Sequence, residues 1–161
     1  MTRAEWIVCE RTNRWAAALR VALSPEETMP RIRETRRLAE IDDEIDSHPQ
    51  AIVAVEVCRD RFAELLAWLT AARRRYPQMC CVALLDRSVL NRSILGDSQP
   101  VIGVLLEAGV HAYATSPRRL EAVLELGERH LRIAGNQRQD SSFADQVWAS
   151  LPWQAAPSPL G

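Results

Sequence analysis

The chain has 161 residues, enough for one domain with a proper core and a short tail. Acidic and basic side chains nearly cancel, 21 against 20, which removes the charge signature of a nucleic-acid or membrane-surface binder. No apolar run reaches membrane-spanning length and no signal-peptide pattern is present, so a cytoplasmic protein is expected. Arg supplies all of the Lys and Arg total, so no reaction of this chain can use a lysine. Cys9, Cys58, Cys80 and Cys81 lack CxxC spacing and sit in or beside apolar runs, the pattern of small buried hydrophobes in a reducing compartment. The three His are scattered and unaligned with them, so neither a metal nor a cofactor is expected.

Trp6 to Glu10 is a short apolar run ending in an acid, a buried parallel strand. Asn13 is placed to cap the following helix, whose face carries Trp15, Leu19 and Leu23. Arg31 to Thr35 alternates weakly as a second strand, and Leu38, Ile41 and Ile45 space a second helix ended by His48-Pro49. Ala51 to Val57 is apolar on both faces and belongs at the centre of a covered sheet. Phe62, Leu65, Leu66, Leu69 and Ala72 mark a third helix that closes in Arg73-Arg74-Arg75, cations suited to the negative end of a helix dipole. A fourth strand, Met79 to Leu85, runs into Asp86. After a long connection, 88–99, Pro100 starts a fourth helix.

The next stretch is the most specific. Gly109 stands where a helix C-cap wants positive φ, and His111 to Thr115 reads as a fifth strand. Ser116 and Pro117 are placed to open a fifth helix, with Leu120, Val123, Leu124, Gly127 and Leu131 on one face. Strands and helices thus alternate five times, which predicts an α/β fold: a doubly wound, five-stranded parallel sheet of flavodoxin-like order. The expected domain is 1–134. Residues 135–161 read as a polar linker and a short amphipathic tail, with Phe143, Val147 and Leu151 on one helical face and Trp148 and Trp153 beside it.

The run LEAGVHAYATSPRRLEAVLEL resembles the end of receiver domains of two-component response regulators, where the pattern is roughly LxAGAxxYLxKPxxxxxLxxxI. The likeness covers residues 5–132 as an order of elements and 104–131 as a motif. In that family an acid pair after the first strand holds Mg²⁺ and an Asp ending the third strand takes the phosphoryl group. A hydroxyl ending the fourth strand and a Lys ending the fifth stabilise it. The resemblance puts Cys9-Glu10 at the acid pair, Glu56 at the acceptor, Leu85 or Asp86 at the hydroxyl and Ser116 at the Lys. Glu56 displaces the reacting oxygen by about a bond length, and a misplacement of that size can cost roughly a hundredfold. With the cation also gone, developing charge is unmet. The resemblance therefore implies a degenerate phosphorylation pocket. Tyr113 stands at the family's switch aromatic and is expected as a fixed packing residue with its hydroxyl at the surface.

Two readings of Glu10, Glu56 and Asp86 stand side by side. One is a residual Mg²⁺ or small-ligand site. The other, which we expect, is a set of Arg–carboxylate pairs in place of metal and Lys, from Arg11, Arg59, Arg87, Arg118 and Arg119. The functional expectation is a pseudo-receiver with no catalytic residues, acting as a signalling adaptor or regulator through protein contacts. Its contact surfaces would be the face of the fourth helix, fifth strand and fifth helix, where two copies would also pair, and the tail. The tail is expected to fold on a protein partner, a dock on its own domain being the alternative. The competing function is a small-ligand-binding protein or enzyme on the same fold using the strand-end carboxylates, with Cys9 and His111 to be tested. Against it, ERTNRW stands after the first strand where a Gly-rich phosphate loop would be.

Overall fold

The computed structural model describes residues 5–23, 31–86, 89 and 99–133. Its strands are β1 (Glu5–Cys9), β2 (Arg31–Thr35), β3 (Ile52–Val57), β4 (Cys80–Leu85) and β5 (Ala112–Ala114). They form one sheet in the order β2-β1-β3-β4-β5, every pairing parallel, so the expected doubly wound sheet with a central 51–57 strand is what forms. The helices are α1 (Arg14–Leu23), α2 (Leu38–Ser47), α3 (Phe62–Arg75), α4 (Gln99–Glu107) and α5 (121–133), with a 3-10 turn at Arg59–Arg61 before α3. No helix of the described residues is long and apolar enough to cross a membrane.

The two-sided apolarity of β3 has a direct structural cause. Val53, Val55 and Val57 face a layer with Ile41, Leu69 and Leu105 from α2, α3 and α4. Ile52 and Ala54 face the other layer, with Trp15, Leu19, Leu120 and Val123. Each layer removes large apolar side chains from water, the dominant favourable term in folding. β2 alternates weakly because it is an edge strand, buried fully only at Thr35.

Gly109 has φ of 108°. Its N–H donates to the Leu106 carbonyl at 3.1 Å, and the Val110 N–H donates to that of Leu105 at 3.0 Å. These paired bonds close α4 in a Schellman motif and turn the chain into β5. Gly127 is required for a different reason: a Cβ there would stand 2.7 Å from Trp6 Cζ2 and 3.1 Å from Ile52 Cδ1. α5 therefore lies against the sheet on a bare backbone.

Ser116-Pro117 does not open α5. The Ser116 Oγ accepts the Arg118 N–H at 3.3 Å and its carbonyl accepts the Arg119 N–H at 2.9 Å, so the serine closes a turn of its own. The first i→i−4 bond of the helix runs from the Leu124 N–H to the Leu120 carbonyl. The linker and the tail residues Phe143, Val147, Trp148, Leu151 and Trp153 lie outside the described residues, as does Arg87.

Candidate functional site at the strand ends

A cleft of about 20 Å³ lies at the carboxyl ends of β1 and β3, lined by Cys9, Glu10, Arg11, Arg36, Glu56 and Cys58 among others. It sits where α1 and α3 leave for opposite faces, the place where doubly wound sheets bind ligands. The volume admits about one water.

Glu10 is 2% exposed, and both its carboxylate oxygens are engaged. Oε2 accepts the Trp15 N–H at 2.8 Å and Oε1 accepts the Ala16 N–H at 2.7 Å. These are first-turn donors of α1 that have no partner within the helix, and a negative charge beside them meets the positive end of its dipole. Asn13 was the expected cap. It instead adopts φ of 55°, and its Oδ1 accepts a hydrogen bond from Arg36. The left-handed step at Asn13 turns the chain back so that the acid from the strand end reaches the helix start.

Arg36 also donates from Nη1 to the Glu10 carbonyl at 2.7 Å. The Arg36 backbone is pinned in turn: its N–H donates to Glu40 Oε2 at 2.9 Å. That bond, followed by the one from the Arg37 side chain, lowers the Glu40 carboxyl to about 2.

Glu56, its side chain 6% exposed, accepts the Arg11 N–H on Oε2 at 2.9 Å. Arg14 Nη2 lies 3.9 Å from Glu56 Oε1 and 3.1 Å from Asp86 Oδ1, so one guanidinium spans the ends of β3 and β4. The same guanidinium rests over the Trp15 ring, 5.3 Å from its centroid.

Glu10 and Glu56 thus line one cleft, and Glu56 and Asp86 share one cation. The arginines named from sequence take other places. The Arg11 side chain pairs with Asp60 at 2.5 Å and holds that exposed carboxyl below its usual range. Arg59 is exposed in the 3-10 turn, and Arg118 and Arg119 are exposed in the turn after β5. Ser116 is half-buried in that turn and does not line the cleft. Leu85 is buried. Tyr113 is 38% exposed on β5, and Val104 and Leu106 of the neighbouring α4 are exposed as well.

Arg14 and Arg36 belong to this strand-end network, and the sequence reading missed both. Arg14 carried a usable signal, because it opens the helix four residues after a strand-end acid. Arg36 follows an edge strand, and nothing local marks its reach to Glu10.

The thiols are poor nucleophiles. Burial raises Cys9, and it pushes Cys58 and Cys80 up to about 11, leaving both protonated at neutral pH. Cys9 ends β1 whereas His111 precedes β5, so the parallel sheet holds them at opposite ends. Among the described residues, no group of three or more His, Cys, Asp or Glu is arranged to hold a metal ion.

No protein-family model and no curated protein matches the sequence. Solved structures do match. The CheY-like protein TadZ from Pseudomonas aeruginosa superposes with a TM-score of 0.61 at 15% identity, over 80% of this chain and 99% of that one. A protein from Burkholderia pseudomallei described as pilus assembly-related gives 0.55 at 22% identity, over 80% and 90%. The signal receiver domain of a LuxO-type repressor from Vibrio parahaemolyticus gives 0.53 at 15% identity, over 86% and 97%. At these identities the likeness is one of fold, and by fold the described chain is a receiver-like α/β domain.

Proposed function

We propose that this chain is a pseudo-receiver: a regulator or adaptor that takes no phosphoryl group, catalyses no reaction and acts through protein contacts. The observation that carries this reading is the position of Arg14 between Glu56 and Asp86. In the receivers it resembles, strand-end carboxylates hold a metal. Here a guanidinium stands among them, and Glu10 is spent on the start of α1. Transfer to Glu56 would need a free, aligned oxygen and a cation for the developing charge. Its Oε2 already accepts the Arg11 N–H, and the chain has no Lys.

The contact surface in this reading is the α4–β5–α5 face, with Val104 of α4 and Tyr113 of β5 exposed. Exposed apolar side chains there suit a protein partner or a second copy of the chain. A partner from a signalling or assembly system fits best, since those are the settings named for the similar structures.

Incubation with acetyl phosphate and Mg²⁺ tests the reading. The intact mass is expected to stay unchanged, and a stable phospho-adduct on Glu56 or Asp86 overturns it.

A further inference from the structure

A second and larger cleft, about 300 Å³, opens at the other end of the sheet, between the C-terminal ends of α3 and α4. Tyr76, Met79, Leu106 and Val110 form its apolar wall, and Arg73 and His111 its polar part. The volume matches the small end of ligand-sized pockets, room for one or two large side chains. Leu106 is 45% exposed although its neighbour Leu105 is 1% exposed, so part of the apolar wall stands in water. The rim is braced: Arg73 Nη1 donates to the Glu107 carbonyl at 3.4 Å, and its Cδ would lie 3.2 Å from a Cβ on Gly109.

The described chain ends at the same end of the sheet, on its other face. Gly127 packs on Trp6 and Ile52 at the starts of β1 and β3. His130, one turn on, is lowered in pKa by burial, against a hydrogen bond with the Gln50 backbone that raises it and ahead of a smaller lowering from His111, which lines the cleft. α5 packs with α1 on the face of the sheet opposite the cleft, and its last turns leave at the same end of the sheet as the cleft. Residues 134–142 follow, nine residues that extend to roughly 30 Å, enough to round the edge of the sheet. Next come Phe143, Val147, Trp148, Leu151 and Trp153. Residues 140–161 carry Asp140 and Asp145 and no basic side chain, opposite in sign to Arg73 and Arg74 at the end of α3.

We infer that the cleft between the C-terminal ends of α3 and α4 is the docking site for this chain's own C-terminal segment, with Trp148 and its apolar neighbours as the occupants. The inference goes beyond the pseudo-receiver reading and is independent of it. It assigns the segment to its own domain, where the sequence alone favoured a partner. Docking there covers the exposed part of Leu106.

The test uses the full chain. Acrylamide quenching of wild type against a Trp148→Phe/Trp153→Phe variant isolates the tail indoles from Trp6, Trp15 and Trp68. Those indoles are expected to be shielded, and Leu106→Asp is expected to raise their quenching severalfold, while Val104→Asp, outside the cleft lining, leaves it unchanged. In a Trp148→Asp/Leu151→Asp chain, hydrogen exchange is expected to quicken at 106–111 and stay slow in β3, which reports that the domain is folded. Wild-type tail indoles that quench like free indole, or indifference to Leu106→Asp, overturn the assignment. Shielding that vanishes on dilution also overturns it, by placing the tail of a second copy in the cleft.

Discussion

Arg14 Nη2 sits 3.1 Å from Asp86 Oδ1, joining the first residue of α1 to the residue after β4 across the carboxyl edge of the sheet. A contact between side chains 72 positions apart closes the ends of three strands, because the same guanidinium also approaches Glu56. Arg14 is more than one-third exposed, so solvent screens the pair and its worth is modest. We expect Arg14→Met to lower stability by about 1 kcal/mol. Magnesium gives the sharper contrast. At millimolar Mg²⁺ the wild-type melting temperature is expected to stay constant while that of Arg14→Met rises, since an ion that binds only the folded state stabilises it by mass action. A wild-type rise would show that Arg14 has not replaced the metal.

Removing the Glu10 carboxylate leaves two first-turn N–H groups of α1 unpartnered in a buried place. Loss of a cap and of charge-assisted bonds puts the cost of Glu10→Ala at about 2–4 kcal/mol, read as a shift in the urea midpoint at constant slope. Asn13→Ala should cost less, because the Asn13 side chain bonds Arg36 and not the first-turn N–H groups of the helix. If the two substitutions cost the same, the assignment of the cap to Glu10 fails.

The Glu40 carboxyl, held near 2 by the Arg36 N–H and then by the Arg37 side chain, makes stability depend on pH with a definite sign. Its folded value lies below the unfolded one, so the contribution is fully present above about 4.5 and is lost as pH falls through about 2. The stability gap between wild type and Glu40→Gln should therefore be flat at neutral pH and shrink on acidification towards 2. A gap that persists unchanged at low pH would contradict the assigned bonds.

Gly127→Ala should be destabilising even though alanine is the better helix former. The new methyl would meet Trp6 and Ile52 inside normal contact distance, and overpacking of this kind costs about 1–3 kcal/mol. A higher melting temperature would mean that α5 stands further from the sheet than described.

The fold was legible because it rests on periodicity that each strand carries for itself. Ala51–Val57 announces a two-sided environment, and Gly109 announces a chain reversal, without help from distant residues. The strand-end network was legible only as a list of acids. Which cation meets which carboxylate depends on how α1 and the turn before α2 are set against the sheet, and no local pattern encodes that. Arg11, Arg59, Arg118 and Arg119 follow strand-end positions in sequence, yet their side chains leave for other partners or for solvent, while Arg14 reaches across. Ser116-Pro117 misled for the opposite reason: a good local cap signal was satisfied by a turn, and the helix waited until residue 121.

β4 carries Cys80 and Cys81 side by side, one packed into the α1/α5 layer and the other into the layer of α2, α3 and α4. Neither thiol is disulfide-bonded and burial raises both, so at neutral pH a labelling reagent can reach them only when the overlying layer lifts. Two adjacent residues on one strand thus form a pair of clocks for the two halves of the molecule. The ratio of their alkylation rates says which helical layer detaches first, with no added probe.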